Sequence, residues 1–146
     1  MSLKAALHQY LATKSAVTTL VPAARIFRGH RPTGSPLPAI TYFRVSHIDH
    51  DHQTAASGLA QTRMQFDVWA STDSSAEAIW EALRGALHTL MNTSIGSEGD
   101  ATTIDLVRLE NATDAAEWPQ DGSDNHVYNI SVDAMIWHRV TVPSFS

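Results

Sequence analysis

Stretches of the chain alternate apolar and polar residues with period two, the spacing at which a half-buried strand turns one face to a core. In RMQFDVWA, 63–70, Met64, Phe66, Val68 and Ala70 point one way and Arg63, Gln65 and Asp67 the other. YNISVDAMIW, 128–137, repeats the pattern, with Tyr128, Ile130, Val132, Ala134 and Ile136 inward against Asn129, Ser131 and Asp133. In AITYFRVS, 39–46, Ile40 and Tyr42 share a face while Phe43 and Val45 occupy the other, which predicts cover on both sides. TIDLVRLE, 103–110, changes phase between Leu106 and Val107, the mark of a bulge or an edge strand. A short strand is expected at 24–28 and a turn near Ala56-Ser57-Gly58.

Helical spacing occurs twice. Ser2 can cap a first helix whose Leu3, Leu7, Tyr10 and Leu11 form one narrow stripe, weakened after Lys14 by the β-branched run and closed by Pro22. Ser74-Ser75-Ala76-Glu77 reads as a capping box opening a helix over 74–92. There Ile79, Leu83, Leu87 and Leu90, with Trp80 and Met91, make a broad face for a sheet, and Gly85 suggests a close crossing over a strand. The segment 29–38, with two glycines and three prolines, predicts an exposed loop reaching away from the body. No βαβα alternation occurs, so the expected fold is α+β: an antiparallel sheet packed against one long helix, with a short N-terminal helix, in one domain spanning 1–146.

A length of 146 residues suits one core, and 43% hydrophobic with 17% charged residues suits a globular chain. The net charge of −5, without a Lys/Arg cluster longer than the scattered Arg25, Arg28 and Arg31, argues against nucleic acid as the main ligand, and no sequence-specific nucleic-acid partner is expected. Without cysteine there is no disulfide, thiolate or Cys-based zinc chemistry. No apolar run reaches 18 residues, and Lys4, His8, Gln9 and Lys14 interrupt the amino terminus, so a soluble, unexported protein without a membrane partner is expected.

The densest chemistry lies in HIDHDHQ, 47–53. Extended backbone would send His50 and His52 to one side and Asp49 and Asp51 to the other, so two ligands at most converge locally. A third would have to come from His30, or from the acidic loop with Glu117, Asp121, Asp124 and His126. A small metal-dependent enzyme built on His50 and His52 is one reading; the polar end of a strand is the other. No nucleophile elbow or phosphate loop is present. His88 reads as a helix-rim residue and His138 as a structural histidine beside Trp137. Trp69, Trp80 and Trp137 fall in elements that already need large apolar groups. Trp118, in AAEWPQDG, is a candidate interface anchor or a pin for its own loop.

The order of landmarks, VPAARIF, PLPAITY, RMQFDVWAST running into a helix that ends ALHTLMN, and HVYNISVDAMIW, resembles the tail completion proteins of long-tailed phages, also called head-to-tail joining or tail terminator proteins. The resemblance covers roughly Leu3 to His138, with longer polar insertions at 47–58 and 96–103. It implies a structural, non-catalytic α+β protein of the virion without a cofactor. It also implies homo-oligomerisation as a six-fold ring at the head-proximal end of the tail, with the tail tube protein and a head-completion or connector protein as partners. The expected subunit or partner contacts are then Arg28, His30, Arg31, His47, Asp49, His50, Asp51, His52 and Trp118. A small ligand-binding α+β dimer, with an apolar pocket between sheet and helix, is the further alternative.

Overall fold

In the computed structural model, which describes residues 2–32, 34, 36–51, 56–97, 99–117 and 126–140, Ser2 caps helix α1 (Leu3–Thr13) by accepting from the Ala5 amide at 3.1 Å. The stripe foreseen on this helix buries Leu7 and Leu11, with Leu3 and Tyr10 at its margin. The β-branched run after Lys14 still completes one turn, α2 (Ser15–Thr18), and a 3-10 turn at Ala23–Arg25 leads into β1 (Ile26–Arg28).

The remaining strands are β2 (Ala39–Asp51), β3 (Ala56–Ala70), β4 (Thr93–Ile95), β5 (Thr102–Glu117) and β6 (Val127–Arg139), with α3 (Asp73–His88) between β3 and β4. They form one six-stranded sheet in the order β1-β2-β3-β6-β5-β4. All neighbours are antiparallel except β1 and β2, which run parallel, so the sheet is mixed rather than wholly antiparallel. The fold is α+β with short helices.

The alternation reads out as foreseen on one face. Met64, Phe66, Val68 and Ala70 of β3 and Ile130, Val132, Ala134 and Ile136 of β6 are buried, sharing a core with Leu7 and Leu11 of α1 and Ile79, Leu83 and Leu87 of α3. The opposite, outer face carries no such cover on β2, where Phe43 and Val45 are 38% and 48% exposed. Asp67 lies on that outer face yet is buried, accepting from the Ser131 hydroxyl and from Gln65 Nε2 at 3.2 Å. The phase change in β5 is two bulges, at Asp105 and Glu110. A third, at Val45, interrupts β2.

Five local expectations are corrected, the last of them at Gly85. Thr72, not Ser74, caps α3: its hydroxyl accepts from Ser75 N–H at 3.1 Å and its backbone is extended (φ −134°, ψ 152°), while Glu77 is exposed. The helix ends at His88 rather than Asn92, whose φ of 50° is left-handed, and Met91 past its end is 57% exposed. Sixteen residues make α3 about 24 Å long. Ala56 to Gly58 belong to β3 rather than a turn. The register shift beside His50 leaves Ser57 and Gly58 without partners on β2, although the Gly58 carbonyl accepts from the Val140 amide at 2.8 Å, and Gly58 takes the strain at φ 78°. The loop after β1 does not reach away throughout, because the Arg31 guanidinium stacks 5.5 Å above the Trp69 ring.

Gly85 faces open space instead of a crossing strand. Its helical backbone makes no use of glycine's freedom, so Gly85→Ala should raise stability by about 0.5–1 kcal/mol, seen as an upward shift of the urea midpoint. Among the described residues, no helix is long and apolar enough to cross a membrane.

Candidate functional site

Strand register, which no local motif encodes, assembles the most chemically distinctive site. The bulge at Val45 inverts the parity of β2, so that His47 pairs with Thr62 on the inner face and Ile48 with Gln61 on the outer. His138 arrives on the same inner face from β6, one strand further. Thr62 Oγ1 then stands between the two rings, 2.8 Å from His47 Nδ1 and 2.8 Å from His138 Nε2, and His47 Nε2 lies 2.8 Å from Asp49 Oδ1.

The acceptor-only carboxylate orders this chain when both rings are neutral. His47 donates from Nε2 to Asp49, the Thr62 hydroxyl donates to His47 Nδ1, and His138 donates from Nε2 to Thr62. Among the described residues, Nδ1 of His138 is left as a buried acceptor without a partner. Burial is the main force holding the His138 pKa below the usual histidine value, reinforced by His47 and opposed by the Arg139 backbone, Asp49 and Asp105. His138 therefore stays neutral at pH 7. A satisfied structural histidine was expected beside Trp137; the ring is buried as such a residue would be, but one of its nitrogens is unsatisfied.

These groups line a cleft of about 450 Å³ that also takes in Ser2, Leu3 and Lys4 at the start of α1, Arg28 of β1, Arg44 and Met64, and Arg139 with Asp100 on the far wall. Four of the chain's ten Lys and Arg residues meet here, although the whole chain carries −5. Arg139 is paired with Asp105 at 3.0 Å. Lys4, Arg28 and Arg44 make no ion pair among the described residues. The α1 amino terminus adds its own positive end. Burial pushes the Tyr42 hydroxyl, beneath Arg28, above the usual tyrosine range, and it donates to the Lys4 carbonyl at 2.6 Å. The cleft is an anion-attracting surface with a fixed floor.

The expected contact residues are divided by this geometry. Arg28, His47 and Asp49 belong to the cleft or its relay. His50 faces the outer side, its Nε2 3.1 Å from Gln61 Oε1, so HIDHDHQ is split between two faces. His30 is exposed in the loop before β2, Arg31 stacks on Trp69, and Asp51 closes β2. His52 and Trp118 lie outside the described residues. Among the described residues, no three His, Asp or Glu side chains gather closely enough to hold a metal ion. Lys4, Arg44, Thr62 and Arg139 were not singled out in the sequence. Only a correct register with the β2 bulge included would have found them.

At the other end of the same face, Asp73 and Asp114 flank a second depression with Ala76 and Ile130. The two long hairpins point in opposite directions. β2–β3 pairing runs beyond the Leu59–Arg139 end of the central pair, to Asp51 and Ala56, and β5–β6 pairing runs past its Ala70–Tyr128 end, to Glu117 and Val127.

Comparison with known proteins bears on this arrangement. The family described as Tail completion protein gp17 matches residues 5–138. A chain from the virion of a native gene transfer agent (GTA) particle shares the fold at a TM-score of 0.69 and 16% identity, over 95% of this chain and 96% of that one. A second solved chain aligns over 97% and 96% at 15% identity, with a TM-score of 0.48. No curated protein matches.

Proposed function

Because the chain belongs to the tail completion protein gp17 family, we propose that it is a structural protein of a phage or phage-like tail, completing the tail as a ring at its head-proximal end. In this reading several copies close around the tube axis, six in the expected ring. One rim meets the tail tube protein and the other a head-completion or connector protein. The family match over residues 5–138 carries the proposal, because it spans nearly every element of the sheet.

The shape supports it. A broad sheet with hairpins projecting from opposite ends can touch a neighbour on each side while its helices stiffen the inner face. A heterologous contact repeated by rotation is how identical subunits close a ring. Negative net charge keeps a passing DNA duplex from adhering to the ring. The proposed location is accordingly the virion.

The test is genetic and visual. Particles produced without this gene should accumulate as separate heads and tails, with tails of irregular length by electron microscopy, and supplying the gene in trans should restore joined particles. Normal joined particles without the gene would reject the role.

A further inference from the structure

Basic groups gather at one end of the inner face, with Asp49 and Asp100 beside them, and acidic groups lie at the other. The cleft gathers Lys4, Arg28, Arg44 and Arg139 at the end that holds the relay, with three of these cations left without a carboxylate partner among the described residues. The opposite end carries Asp73 and Asp114. From Glu110 to Asp124 the chain has five acidic residues and neither lysine nor arginine. Glu110, Asp114 and Glu117 lie on β5, which approaches its turn into β6 and forms the acidic arm. Asp114 pairs across from Ile130 and Thr62 lies in the row of Ile136, so about 20 Å of sheet separates the two charge centres. No single chain can bring its arm to its own cleft across a rigid sheet. A second copy can.

We infer that the cleft is the docking site for the acidic β5–β6 arm of a neighbouring copy, its carboxylates entering between Arg28, Arg44 and Lys4. The inference rests on the ring reading and specifies which surfaces meet. Both surfaces lie on one face at opposite ends, so each copy offers one cleft and one arm, and repetition of the contact runs head to tail. Asp100 on the wall of the cleft limits how much negative charge enters, and Arg139 stays with Asp105. Contacts between such partly exposed charges weaken with salt, so association should fall as ionic strength rises.

Charge exchange between full-length chains tests this by sedimentation velocity at low ionic strength. Arg28→Glu with Arg44→Glu should weaken self-association roughly a hundredfold or more, and Asp114→Lys with Glu117→Lys should do the same. An equimolar mixture of the two variants should associate again, because each reversed arm then meets a cleft of opposite sign. Circular dichroism of each variant checks that it is folded, and restoration in the mixture is an outcome that misfolding cannot imitate. Unchanged association in either variant, or no restoration on mixing, overturns the contact while leaving the ring reading to the genetic test. A parent chain that stays monomeric throughout also overturns the contact. Association that stops at two subunits supports the contact and removes the ring.

Discussion

A Phe66→Ala chain should lose about 3–5 kcal/mol of folding free energy, enough to leave a protein of ordinary stability near the edge of unfolding. Phe66 is wholly buried in the central strand β3 and stacks on Tyr42 with ring centroids 5.5 Å apart. Tyr42 in turn ties the sheet to α1 through the Lys4 carbonyl. Alanine would leave a void beneath both the stacked ring and the helix, and neighbours held by strand register can collapse into it only partly. Phe43→Ala supplies the contrast. That ring is 38% exposed on the outer face, so its loss should cost less than about 1 kcal/mol. Urea midpoints of the two variants check the pair, and equal losses would mean that the burial of β2 and β3 is misassigned.

Thr62→Val should cost about 1–3 kcal/mol at pH 8 despite its near-identical volume. The valine methyl cannot accept from His138 Nε2 or donate to His47 Nδ1, and His138 is only 2% exposed, so its N–H would be buried without a partner. The same histidine sets a pH dependence in the parent. Its folded pKa lies below the unfolded value of about 6.5, so between the two the unfolded chain binds the extra proton. The stability it contributes is complete above about pH 6.5 and declines as the pH falls toward the folded pKa. His138→Gln, which keeps a donor toward Thr62, should flatten that decline in unfolding free energies measured from pH 8 to 5. A slope equal to the parent's would assign it to another group.

The inner face of the sheet was legible because β3 from Met64 to Ala70 and β6 from Tyr128 to Ile136 put apolar side chains at every second position, and a single inward charge within those stretches would have broken the pattern. The bulges were harder to place. In β5 the phase change was visible near Leu106, yet one extra residue in a strand looks in sequence like noise in an alternation. The bulge at Val45 passed as a strand with two covered faces. That error hid the cleft, since His47 reaches Thr62 only after the parity of β2 is reversed. Lys4, Arg28, Arg44, Thr62 and Arg139 come from separate elements and share no spacing. Capping was foreseen correctly at Ser2, where a single hydroxyl precedes the stripe. At α3, Thr72, Ser74 and Ser75 all offered hydroxyls, and extended backbone at Thr72 decided the outcome.

The bulges in the two outer long strands have a bearing on polymerisation. Among the described residues, β1 covers only Ile40 to Tyr42 of β2, and β4 with the Asn92 amide covers only Thr102 to Asp105 of β5, so the rest of each long strand leaves one side of its backbone open. A flat open edge would recruit the matching edge of another copy and extend into a fibre. Val45, Asp105 and Glu110 each twist the strand where such pairing would begin, and two of them place a carboxylate there. For a chain whose proposed role is to end a growing tube, the bulges guard against growth into a fibre of its own.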